Sequence, residues 1–352
     1  MSSSTTSNNS KYNKDKDIFE IVQHIFGFYL IPIICLPGLI GNILCISVFL
    51  SNTMKRYSTT QFLLYLAISD TFKLSNDLLY SLVLIIQSIH TELGKELFHN
   101  LYRYCHYINQ CATICTAWLT LTLAIERYIL CSCQTRIGLD TCFKKNTKLI
   151  CCTILLISLL IGLPVSGRYE LVESELNNST SKKILSIQLS TFGKSRAFRL
   201  YSMTVDIIRA IIPSLLLIYI NSRIVYLLCR MKEGIFSKEQ RHSQEVFYRL
   251  TISLIIIIFC FIISYFPDAL LSLILNMGYI EEPYQKRTIR EITDFFVTLN
   301  SATNFTIYFC ISYTFRRSLA RLIAPTKKYY TTTDPRNEQP LALLGRDENI
   351  IN

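Results

Sequence analysis

The residues of this sequence that could do chemistry are charged side chains set inside long apolar runs. Asp70, Lys73 and Asp77 fall within an otherwise apolar stretch, residues 61–89, and spacings of three and four put them on one face of a helix. Asp206 and Arg209 lie in a second such run (200–228), Asp268 follows Pro267 in a third (247–277), and Arg290 and Asp294 open a fourth (289–312). Charge is costly at that depth, so such groups face a protein interior or a wet cavity. There they can meet a charged ligand, hold a cation or pair with one another. The stretch around which the chain is organised has 22 residues without Asp, Glu, Lys or Arg, 104–125, and ends in Glu126-Arg127-Tyr128. At about 1.5 Å per residue it crosses the roughly 30 Å of a bilayer's hydrocarbon. Glu126 and Arg127 therefore sit where the helix leaves the membrane, either as an interfacial anchor or as a switch.

The elements that must position these groups are read from hydropathy. Seven apolar spans are expected, at 21–50, 61–89, 104–125, 149–167, 200–228, 247–277 and 289–312, with a basic amphipathic segment at 313–323. The predicted fold is an all-α membrane protein, a seven-transmembrane-helix bundle with a short amphipathic eighth helix. Residues 1–20 are read as a disordered extracellular N-terminus, 21–324 as the helical domain and 325–352 as a cytoplasmic tail. No cleavable signal peptide is expected. The distribution of Lys and Arg places the N-terminus outside. Asn8, Asn177 and Asn178 then become glycosylation candidates on the outer side, whereas the matching triplet at Asn304 lies in the membrane.

Composition narrows the function. Half of the 352 residues are hydrophobic and only 17% are charged, which excludes a soluble two-domain enzyme. The net charge of +11 is dispersed through loops and forms no nucleic-acid footprint; membrane lipid and an acidic intracellular partner account for it better. None of the 13 cysteines shows metal-ligand spacing with Cys or His, so buried free thiols are expected and no zinc site. No nucleophile–base motif or phosphate loop appears, which argues against an enzyme.

Taken in order, Gly41-Asn42, Leu66-Ala67-Ile68-Ser69-Asp70, Glu126-Arg127-Tyr128, Pro213, Pro267 and the run Asn300-Ser301-Ala302-Thr303-Asn304-Phe305-Thr306-Ile307-Tyr308 resemble the rhodopsin-like (class A) G-protein-coupled receptors over residues 20–324. Phe305 in that last run, Phe315-Arg316-Arg317 and Asn221 resemble invertebrate neuropeptide receptors of the FMRFamide-receptor kind. The resemblance implies an extracellular ligand, here a peptide, and a heterotrimeric G protein. It implies that Asn42, Asp70, Thr116, Asn300, Ser301 and Asn304 form a mid-membrane cluster, either a sodium site or a water-filled network. It implies a coupling switch at Glu126, Arg127, Tyr128, Asn304 and Tyr308, with Arg127 paired to Glu126 at rest and freed when the sixth helix swings about Pro267. Asp268 is the leading ligand candidate, with Asn109, Gln110, Asp77, Lys73, Asp206, Arg209, Asp294 and Tyr265 around it. Acids there would suit the arginine of an RFamide-type peptide; internal pairing of Asp206 with Arg209, or of Arg290 with Asp294, is the competing reading.

Three departures stand out. Tyr102 occupies the position where the family's disulfide cysteine is expected, and residues 153–228 contain no cysteine. Tyr265 replaces the usual Trp before Pro267, and the only Trp is Trp118. A retinal-bearing opsin is argued against because no lysine lies between Asp294 and Cys310, and an amine receptor because Asn109 stands where those carry Asp. A chemosensory receptor for a small molecule, or more remotely a seven-helix transporter or channel, remains the alternative.

Overall fold

The computed structural model describes the backbone of residues 2–52, 54–55, 58–132, 137–175, 183–231, 238–275 and 281–323, and the side chains of 11–52, 54–55, 58–132, 146–172, 186–229, 251–275 and 281–323. Helix α1 (Ser2–Gln23) continues through a π-helical turn, His24–Leu30, into α2 (Ile31–Phe49). Helices α3 (Ser58–Ile89), α4 (Thr91–Ser132) and α5 (Ile137–Ser166) follow. A hairpin of β1 (Tyr169–Glu175) and β2 (Lys183–Leu189) precedes α6 (Arg196–Asp206), a second π turn at Ile207–Ile211 and α7 (Ile212–Met231). Then come α8 (Lys238–Leu275), α9 (Tyr284–Ile311) and α10 (Tyr313–Ile323).

Among the described residues, five helical stretches are long and apolar enough to cross a membrane by themselves: Lys11–Phe49, Thr91–Ser132, Asn146–Ser166, Arg196–Cys229 and Thr251–Leu275. Two further membrane-length helices, α3 and α9, are each interrupted by several ionisable residues, and the bundle turns the deepest of these inward. Asp70, Lys73 and Arg290 are buried, while Ile33, Ile40, Leu160, Leu215, Tyr219 and Ile274 are exposed as a lipid-facing surface requires. Helix α2 lies very close to α9. A Cβ on Gly38 would come within 2.7 Å of Ala302 Cβ, and one on Gly41 within 2.7 Å of Phe305 Cβ, so only glycine permits this approach. Near α10 the core is built from Phe49, Phe62, Leu66, Leu119, Leu123, Ile257, Tyr308 and Phe315.

Three expectations need correction. The N-terminus is helical rather than disordered, because tertiary contacts override its polar composition. The rings of Tyr12 and Phe19 pack on Tyr284 at 5.4 and 5.6 Å, the Arg287 guanidinium lies 4.2 Å over Phe19, and Gln285 donates to Asp15 at 3.0 Å. The connection after α5, read as a loop, contains an antiparallel hairpin pairing Tyr169 with Leu189 through to Glu175 with Lys183. Its signal was present as the alternation of Ile184, Ser186 and Gln188 with Leu185, Ile187 and Leu189. Helix α10 has the expected bounds, but of the apolar face that an amphipathic segment is expected to lay on lipid (Phe315, Leu319, Leu322 and Ile323), Phe315 and Leu319 join the protein core. Arg316 caps α9 by donating to the carbonyls of Phe309 (2.9 Å) and Cys310 (2.8 Å). The side chain of Asn8, residues Asn177 and Asn178, and the tail from 324 lie outside the described residues.

Candidate functional site

One end of the site lies toward α10. Glu126 and Arg127 are both buried at the end of α4. Adjacent helical residues point about 100° apart, so they do not face each other. Glu126 is held instead by the first turn of α3, accepting hydrogen bonds from Ser58 Oγ and from Thr59 Oγ1, the latter at 2.8 Å. The expected Glu126–Arg127 pair is thus replaced by a contact between helices, and neither hydroxyl was found by sequence reasoning. Tyr128 packs with Ile224 and Leu228 of α7. Tyr308 stands between the rings of Phe49 (5.6 Å) and Phe315 (5.8 Å), joining α2, α9 and α10.

One level up, the polar cluster forms around Asp70, which is fully buried. Asn304 Nδ2 donates to Asp70 Oδ2 at 2.7 Å and Thr116 Oγ1 to Oδ1 at 3.2 Å. Ser69 joins the cluster unforeseen, 3.1 Å from Thr116 Oγ1. Asn42 Nδ2 donates to the Ser301 carbonyl at 3.1 Å. The side-chain oxygens of Asn42 and Asn300 are buried without a hydrogen-bond partner. The Asp70 carboxylate, the Thr116 hydroxyl and these unpartnered amide oxygens are the class of oxygen donor that a small hard cation such as sodium takes.

The hairpin end of the bundle holds two arrays of charge. In the first, Asp268 lies between two arginines: Arg209 Nη2 donates at 2.7 Å, Arg290 Nη1 at 3.1 Å and Thr293 Oγ1 at 2.8 Å. Arg209 also donates from Nε to Asp206 at 2.9 Å. The π turn explains the placement. Pro213 has no N–H for the carbonyl of Arg209, and the wider turn ends with Ile212 N–H on the carbonyl of Ile207. Asp268 is therefore a tie between α7, α8 and α9, and it is not a wall of the cavity. Tyr265 is likewise withdrawn, fully buried and stacked on Phe261 at 4.2 Å. Both lose their expected place as ligand contacts because their polar or aromatic faces are already used inside the protein.

The second array lines a cavity of about 100 Å³ between α3, α4 and α9, walled by Lys73, Asp77, Tyr80, Tyr102, His106, Asn109, Arg287, Arg290, Glu291 and Asp294. Lys73 donates to Asp77 at 2.6 Å and Thr298 to the same oxygen at 2.8 Å. Tyr80 donates to Glu291 at 3.4 Å, and Glu291 was missed from the sequence. Asp294 differs from these: among the described residues its carboxylate takes part in no hydrogen bond or ion pair. Gln110 and Asp206 line a smaller pocket of about 20 Å³ beside Arg168 and Tyr201.

Above this cavity the hairpin is clasped without a covalent bond, and Cys105 is a free thiol. Tyr102, at the expected cysteine position, meets Tyr169 of β1 edge-on at 5.3 Å, and His106 meets the same ring at 6.0 Å. Tyr169 donates to Glu281 at 2.9 Å, and Arg168 pairs with the other oxygen of Glu281. Glu281→Gln is expected to loosen the hairpin, raising amide hydrogen exchange in β1 about tenfold, as losing one partly buried charged pair implies. Unchanged exchange would assign the hold to the aromatic contacts alone.

The sequence profile of the 7 transmembrane receptor (rhodopsin family) matches residues 41–308, most of the chain and the whole of this site. The chain belongs to the rhodopsin family of seven-transmembrane receptors. A search of curated proteins finds no match. Membership makes the protein a multi-pass membrane receptor, not an enzyme, and the family's partners are a ligand on the outer side and a G protein on the inner side. In this receptor the ends of α4 and α9 that carry Arg127 and Tyr308 lie at one end of the bundle, and the cavity beneath the hairpin lies toward the other.

Proposed function

We propose that this receptor sits in the plasma membrane with its N-terminus outside and is activated by a peptide whose cationic group enters the cavity beside Asp294 and Glu291. The observation that carries the proposal is the Asp294 carboxylate in the cavity wall, which makes no hydrogen bond or ion pair among the described residues. A guanidinium there gains charge-assisted hydrogen bonds without first breaking an internal pair. Tyr80, Tyr102 and His106 add aromatic walls for a neighbouring phenylalanine, which makes an amidated RFamide-like peptide the best fit. The cavity is small, so it takes the tip of such a ligand while the rest lies outside.

The same reading gives the inner pole its role. Helix α9 carries Asp294 in the cavity, Asn304 on Asp70 and Tyr308 near α10, so a pull at its outer end is felt along one rigid element. Sodium held at Asp70 with Thr116, Asn300 and Ser301 would favour the resting state. Pro267 supplies the pivot for α8, and Arg127 meets the G protein once α8 swings away. Asp294→Asn is expected to raise the EC50 of an RFamide peptide about 10- to 100-fold, the loss of one charged hydrogen-bonded contact, at unchanged surface expression. Arg127→Ala serves as the silent control. An unaltered EC50 for Asp294→Asn would remove the proposed ligand contact.

A further inference from the structure

A second, larger cavity of about 620 Å³ opens outside the first, between the top of α1, α3, the start of α4, β2 and the start of α9. Its charged lining is one-sided. Lys95 and Lys194 are exposed, and neither they nor Arg287 takes part in an ion pair among the described residues. The one acid of the wall, Glu281, is already bound by Arg168 and Tyr169. His99 stands beside Lys95 and Phe98 in the same wall. The other walls are apolar (Leu84, Phe98, Ile187, Leu189) or carry amides (Gln23, Gln87, Gln188), which suits side chains and peptide bonds of an extended segment. Arg287 lines both cavities, so the two adjoin.

We infer that this outer cavity is a separate ligand subsite for an acidic peptide segment, recognised by Lys95, Lys194 and Arg287. The inference rests on the reading of the ligand as a peptide and adds its charge pattern: basic at the inserted tip, acidic several residues away. Charge of one sign around a concave mouth also concentrates an oppositely charged ligand and speeds its arrival.

The test uses the full-length receptor in lipid nanodiscs and a fluorescent acetyl-Asp-Asp-Phe-Leu-Gly-amide probe, compared with its Asn-Asn isostere. Three screened contacts each contribute a factor of a few, so the acidic probe is expected to bind about tenfold more tightly. That ratio should fall to near one in Lys95→Gln/Lys194→Gln, shrink at high salt and persist in Asp294→Asn. Equal binding of the two probes, no binding of the acidic one, or a ratio that survives the double substitution would overturn the inference. An RFamide pentapeptide assayed alongside reports on the inner cavity alone. Its failure with the acidic preference intact refutes the amidated tip and supports the outer subsite.

Discussion

Asp268→Ala is expected to lower the receptor's apparent Tm by about 10 °C and to raise basal signalling, before any ligand is added. The carboxylate is 1% exposed and bound by two arginines and a threonine. Removing one partner of a buried ion pair leaves an uncompensated charge and costs about 3–5 kcal/mol. Here two guanidiniums lose a shared partner at once. The carboxylate also holds α8 to Arg209 and α9 one residue beyond Pro267, so its loss frees the helix at the point proposed as its pivot. Asp268→Asn keeps the shape and one acceptor, and should fall between wild type and Ala in both thermal melting and basal nucleotide exchange. A variant with wild-type Tm and basal activity but weakened ligand binding would restore Asp268 to the ligand contacts.

Glu126→Ala should raise basal G-protein activation several-fold. Glu126 is 1% exposed and accepts from two hydroxyls on α3, each such bond to a charged group contributing about 1.5–3 kcal/mol. Cutting them unfastens the inner end of α4 from the start of α3 and leaves Ser58 and Thr59 buried without their acceptor. Ser58→Ala with Thr59→Val should reproduce the rise while leaving the acid in place. Adding Arg127→Ala to either background should return signalling to zero. Basal exchange that stays at the wild-type level in both variants would mean the contact is structural and the resting state is held elsewhere.

Spacing made local geometry legible and left long-range partners hidden. The four-residue repeat of Asn300, Asn304 and Tyr308 placed these groups on one face, and Asn304 does reach Asp70. Lys73–Asp77 and Asp206–Arg209 pair at separations a helix brings together. Arg290, equally close in sequence to Asp294, instead crosses 22 residues to Asp268, and Arg209 crosses 59. No periodicity encodes that choice; it follows from helix packing and from the π turn that re-aims Arg209. For the same reason Asp268, the most conspicuous acid in the sequence, proved to be internal mortar, and Asp294 was left facing the cavity. Glu291 lay in plain view three residues before Asp294, and its register with Asp294 and Thr298 on one face could have found it.

The clasp on the hairpin has a thermodynamic consequence. A covalent staple keeps its loop in one place until it is chemically cut. Two edge-on aromatic contacts and a partly exposed Arg168–Glu281 pair can instead part and re-form, on the microsecond-to-millisecond scale of loop motion. The hairpin over the cavity is thus expected to open and close in an equilibrium that shifts with ionic strength and ignores reducing agents. At the proposed ligand cavity, entry is then set by how often the hairpin stands open.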